Sequence, residues 1–151
     1  MPPSATRDDD LAILVARVRT AAPTPGVHRL PFEPTPESAA LTRGFTAGVL
    51  QGAGWQEHSG TAVLLVSELV TNAVRHARGP CALVVTFGSH TVEFSVEDGD
   101  PRAPAPRLAG ALDESGRGFV LVGALADDWG IRTLPVGKAT WFTLARSRHG
   151  E

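Results

Sequence analysis

Between about Thr61 and Arg78 apolar residues recur with the period of a helix, and inside that run Glu68, Asn72 and His76 fall at every fourth position. On a helix these three form one polar stripe, while Leu65, Val66, Leu69, Ala73 and Ala77 fill the opposite face. One face must therefore pack against a core and the other is left for chemistry. A carboxylate one turn before an amide can orient a hydroxyl or a water, and the amide oxygen can ligate a hard cation such as Mg2+. An isolated Glu-x-x-x-Asn is more often a solvated helix face, so the weight of the stripe depends on the residues downstream of it.

The chain has 151 residues, 42% of them apolar, which suits one globular domain and leaves no room for a second enzyme domain. A net charge of -2 provides no basic field for neutralising phosphates, and direct nucleic-acid binding is not expected. Lys138 is the sole lysine among 14 basic residues. Cys81 is the single cysteine, so no intrachain disulfide or thiolate zinc cluster can form, and it reads as a small buried strand residue. No two of the five histidines have metal-ligand spacing, no apolar run reaches membrane-spanning length, and Met1 to Asp10 lacks the pattern of a secretory signal. A cytoplasmic protein without a membrane partner is expected.

Along the chain, residues 1–26 read as a flexible N-terminal segment in which Leu11 to Arg19 has the apolar content of a short helix. Val27 to Phe32 reads as a strand. Thr35, Pro36 and Glu37 then signal a helix start, with Ala40, Leu41, Phe45, Val49 and Leu50 expected to face a sheet. The Glu68/Asn72 helix stops near Gly79-Pro80. Cys81 to Phe87 and Thr91 to Glu97 form a hairpin through Gly88-Ser89-His90, and Gly99 to Ser115, with Pro101, Pro104 and Pro106, is a long loop. Gly116-Arg117-Gly118 opens a third helix whose all-round apolarity implies burial, and strands at about Trp129 to Leu134 and Ala139 to Ala145 close the domain at 27–146, before a tail at 147–151. This order predicts an α/β (α+β) two-layer sandwich, with a mixed, mostly antiparallel sheet and the helices on one face.

Two further signals join the stripe. Asp98 falls where a strand gives way to a loop, a place from which a buried carboxylate can accept from an adenine amino group. The alternative is an ordinary Asp-Gly turn, although the proline-rich stretch after it does not return as a paired strand. Gly116 and Gly118 allow backbone to approach a phosphate at a helix N-terminus, where unpaired amides and the helix dipole favour anions, and Arg117 adds charge.

Taken in order, Ser-Glu-Leu-Val-Thr-Asn-Ala-Val-Arg-His-Ala, Val-Glu-Asp-Gly-Asp and Ser-Gly-Arg-Gly-Phe-Val-Leu-Val resemble the three nucleotide-binding boxes of the GHKL ATPases, the superfamily of gyrase, the large heat-shock chaperone and the histidine kinases. The chain most resembles the small bacterial anti-sigma-factor serine/threonine kinases, especially short actinobacterial ATP-binding regulators, over about residues 27 to 146. The resemblance implies a Bergerat ATP-binding fold, with ATP and Mg2+ as cofactors. It implies Glu68 as the catalytic base and Asn72 as the Mg2+ ligand. Asp98 and Gly99 would form the adenine end, and Gly116, Arg117 and Gly118 the phosphate end. His76 is carried over with the nucleotide-binding set, with a structural role as its alternative. The chain departs from the pattern at Asp100, where the second box usually has glycine, and its third box has one glycine pair only.

The function so implied is an ATP-dependent protein serine/threonine kinase that sequesters a sigma factor and phosphorylates its antagonist on serine, with homodimer formation compatible. The alternative is a non-catalytic ATP-binding adaptor that sequesters a protein partner. A split histidine kinase fits less well, since no phosphoacceptor-histidine helix pair precedes the boxes. Neither a Gly-x-Ser-x-Gly elbow nor a Gly-x4-Gly-Lys-Ser/Thr loop is present.

Overall fold

Alternation of apolar residues in Cys81–Phe87 and Thr91–Asp98 builds the centre of a five-stranded sheet in the computed structural model, which describes residues 26–99 and 116–146. The expected N-terminal segment before Gly26, the loop from Asp100 to Ser115 and the tail at 147–151 lie outside the described residues. The strands are β1 (Val27–Phe32), β2 (Cys81–Phe87), β3 (Thr91–Asp98), β4 (Asp128–Thr133) and β5 (Lys138–Ala145), in the sheet order β1-β2-β3-β5-β4. Every pairing among them is antiparallel, so the mostly antiparallel sheet that was expected has no parallel pair among the described strands.

Register decides which side chains share a face. Leu83, Val96 and Thr140 lie across from one another, as do Val85, Phe94 and Phe142, and these rows point into the core. Phe94 and Phe142 stack with ring centroids 5.0 Å apart and are fully buried, each worth roughly 2–3 kcal/mol of apolar burial.

Three helices cover that face: α1 (Ser38–Gly52), α2 (Ser59–His76) and α3 (Gly116–Leu125). The middle one, α2, packs on β3 and lies against both α1 and α3. Ala62, Leu65, Val66, Leu69, Val70 and Ala73 are its buried positions, so Leu65, Val66, Leu69 and Ala73 of the expected face are joined by Ala62 and Val70, while Ala77 caps the C-terminus in an extended conformation. The helix stops where predicted, before Gly79 at φ +110 and Pro80.

Two expectations about burial need correction. On α1 the buried positions are Ser38, Thr42, Thr46 and Leu50, with Phe45 and Val49 partly packed, while Ala40 is exposed and Leu41 is 51% exposed. Small polar residues can line this helix contact because the Thr42 hydroxyl donates back to the Ser38 carbonyl at 2.8 Å, leaving its methyl for packing. Along 119–125 of α3, Phe119 and Val122 are buried, while Val120 and Leu125 are 64% and 44% exposed. Over these residues the helix, which packs against α2 and β4, buries one stripe rather than its whole circumference.

Candidate nucleotide site

The polar stripe of α2 lies beside its buried face and stays within reach of solvent. Glu68 and Asn72 are half-buried, whereas His76, the last helical residue, is exposed. Ser67, next to Glu68, turns its hydroxyl back to the Val63 carbonyl at 2.8 Å and is absorbed by its own helix. Asn72 differs. Its Oδ1 is shielded from water and accepts no hydrogen bond among the described residues. A buried carbonyl oxygen left without a donor costs roughly 1–3 kcal/mol, a penalty that a helix does not need to carry when alanine would serve.

Asp98 is the last residue of β3, buried at 6% exposure. It shares the alternation of Val92, Phe94 and Val96, so it sits on the sheet face that α2 covers. Asp98 pairs in register with Cys81 on one side and Lys138 on the other, and the Gly99 amide continues the ladder to the Pro80 carbonyl at 3.2 Å. Lys138 Nζ lies 3.2 Å from Asp98 Oδ2, with side-chain exposures of 26% and 8%. The Cys81 thiol opposite is pushed up to about 11, by burial first and by the negative charge of Asp98 next, with Lys138 opposing. It is a protonated, inert wall of the site at neutral pH, in keeping with a buried structural cysteine.

The β4–β5 turn is fitted tightly to the main chain of Asp98. Gly137 adopts φ +84, and a Cβ there would lie 1.7 Å from the Asp98 carbonyl oxygen. Only glycine meets both requirements. Lys138 and Gly137 were not read as site residues from the sequence. The one available signal was that the only lysine follows a glycine at the start of a strand, and it gains meaning only once β5 is known to pair with β3.

A cavity of about 340 Å³ opens at the same end of the sheet. Arg29, Pro31, Ala82 and Glu97, which line it, alternate away from the helix side, and the Arg29–Glu97 ion pair at 2.9 Å crosses that outer face. No α2 residue lines it. Cys81, Asp98 and Gly99 line it as well, so the buried carboxylate borders this cavity, whereas Glu68 and Asn72 stand on the helix that covers the other face of the sheet.

Gly116, Arg117 and Gly118 form the first turn of α3, the helix beside α2. The backbone amides of that turn have no earlier helical carbonyl to bond and give the helix an anion-attracting end. The stripe and this helix N-terminus thus belong to the helix layer, and the buried carboxylate to the sheet face that α2 covers. Among the described residues no three His, Cys, Asp or Glu side chains cluster as a metal cage. Mg2+ needs no such cage, since it is commonly held by one or two protein oxygens together with substrate phosphates, and the orphaned Asn72 Oδ1 is a donor of that type.

Residues 32–144 match the family profile described as the histidine kinase-like ATPase domain. An uncharacterized Streptomyces coelicolor protein, SCO4941, is 40% identical over 72 residues, which cover 44% of this chain and 68% of the relative.

Proposed function

We propose, since the chain belongs to the histidine kinase-like ATPase domain family, that it binds Mg2+-ATP and acts as an anti-sigma-factor serine/threonine-protein kinase, sequestering a sigma factor and phosphorylating an antagonist protein on serine. Family membership implies ATP binding. The observation that carries the Mg2+ reading is the buried Oδ1 of Asn72, which has no partner among the described residues and so stands ready for a ligand at a cost in stability. Asp98 accepts from the adenine amino group, and the first turn of α3 faces the phosphates.

Glu68 supports the kinase reading. It stands one turn before Asn72 on the same stripe, half-buried yet reachable, so it can align an incoming serine hydroxyl and take its proton as the new O–P bond forms and ADP leaves. Mg2+, when held by Asn72, supplies charge stabilisation on the phosphate oxygens. No described helix is long and apolar enough to cross a membrane, and a sigma factor as partner implies a reaction in the cytoplasm. Exposed Val27 on the edge strand β1 and Leu41 on α1 supply apolar surface for a protein partner or a second copy.

Glu68→Gln tests the assignment, because it keeps size and removes basicity. ATP affinity should stay within a few-fold, while phosphoryl transfer to the antagonist's serine falls by roughly two to four orders of magnitude. If the wild-type protein binds ATP and its partner yet transfers no phosphate, and Glu68→Gln behaves identically in cells, the kinase reading fails and the adaptor reading takes its place.

A further inference from the structure

We propose that Lys138 is the second reader of the adenine base, donating to ring nitrogen N1 while Asp98 accepts from the exocyclic amino group. The inference rests on the ATP reading above and adds to it a residue and a mode of base selection. Its starting point is the juxtaposition of one acceptor and one donor on the helix side of the sheet, with Lys138 Nζ 3.2 Å from Asp98 Oδ2 and the two residues in register across β3 and β5.

Adenine's pairing edge offers a donor, the 6-amino group, beside an acceptor, N1. A carboxylate next to an ammonium is the complement of that edge. Guanine and hypoxanthine carry the reverse order at the same two positions, an acceptor at position 6 and a donor at N1, and in the same pose they meet Asp98 and Lys138 with like groups facing. The ammonium has three donors, so its contact with Asp98 does not exhaust it. The difference in exposure, 26% for Lys138 against 8% for Asp98, leaves the ammonium the more accessible of the two groups.

The choice of residue supports this over a purely structural ion pair. Every other basic residue of the chain is arginine. A guanidinium at position 138 would tend to engage both carboxylate oxygens as a fork, competing with the base for Asp98, whereas lysine is a point charge and meets Oδ2 at 3.2 Å. The two backbones are also seated closely: a Cβ on Gly137 would lie 1.7 Å from the Asp98 main-chain carbonyl oxygen, which sets where the Lys138 and Asp98 side chains start from.

The test is calorimetric titration of the full chain with ATP and with 1-deaza-ATP, which replaces N1 by CH. Wild type should bind the analogue about tenfold or more weakly, the loss expected for one hydrogen bond to a charged donor. Lys138→Met should lose a similar factor for ATP and should no longer separate ATP from 1-deaza-ATP, with thermal unfolding run alongside to establish that it is folded. The wild-type comparison needs no variant, and equal affinity for the two nucleotides overturns the assignment. So does a folded Lys138→Met that still separates them. A wild-type protein that binds no ATP overturns the nucleotide reading as well, whereas ATP binding without N1 dependence removes only Lys138.

Discussion

Replacing Asn72 by alanine should make the nucleotide-free protein more stable and its Mg2+-ATP complex weaker. Three terms set the size of the first effect. Alanine is a better helix former than asparagine by roughly 0.6 kcal/mol, and position 72 lies well inside α2. Removal of a buried carbonyl oxygen with no donor among the described residues relieves roughly 1–3 kcal/mol. Against these stands the packing lost with a half-buried side chain, about 1 kcal/mol. The net gain is on the order of 1–2 kcal/mol, or roughly 3–6 °C in Tm for a chain of this size. Urea denaturation without nucleotide or metal measures it. A loss of stability would mean that Oδ1 has a partner in the folded protein and that its orphan state is not a reserved ligand position. The second effect is read by titrating ATP with and without Mg2+, where the variant should lose far more affinity in the presence of the metal. Equal weakening in both conditions would remove Asn72 as the metal ligand.

Asp98→Asn should lower ATP affinity about thirtyfold, since it removes a buried charged acceptor worth on the order of 2 kcal/mol, and unchanged calorimetric affinity would take Asp98 out of the site. Gly137→Ala should destabilise the fold by on the order of 3 kcal/mol, combining a left-handed backbone at φ +84 with a clash against the Asp98 carbonyl. Gly79→Ala, at φ +110 with open space around it, carries only the first cost of about 1 kcal/mol, so equal urea midpoints for the two variants would contradict the tight seating of the turn. Burial pushes the imidazole of His28 below its ordinary 6.5, so the unfolded chain takes the proton first on acidification. Its contribution is present above pH 6.5 and is lost as pH falls through the lowered folded value. Wild type should therefore lose more stability than His28→Phe between about pH 7.5 and 5.5, and parallel losses would show that His28 is not the group responsible.

Much of the architecture was legible because local signals agree with one another. The spans Val27–Phe32 and Cys81–Phe87 follow directly from β-rich runs bounded by Gly and Pro, and the stripe of α2 follows from a four-residue spacing. The buried face of α1 was not legible. Leu41 is at the surface while Thr42 is buried in the contact, because a hydroxyl that bonds back to its own helix packs like a small apolar group. The all-round apolarity of α3 pointed to full burial, but among the described residues Phe119 and Val122 are buried while Val120 and Leu125 stay exposed, since apolar composition alone does not say on which side the neighbours lie.

By itself the sequence determined the elements, their polar and apolar faces, and the order of three motifs that marks the family, because periodicity and turn chemistry act over a few residues. Tertiary structure decided the neighbours. Asp98 and Lys138 stand forty residues apart in the chain and meet at 3.2 Å because β5 enters the sheet between β3 and β4 in one register, and Gly137 acquires its constraint from the same pairing. A one-residue slip of that ladder would keep every local preference of the strand but turn Lys138 to the opposite face of the sheet. The register is set by burying the Phe94–Phe142 row beneath α2, and that long-range packing puts the ammonium beside the carboxylate.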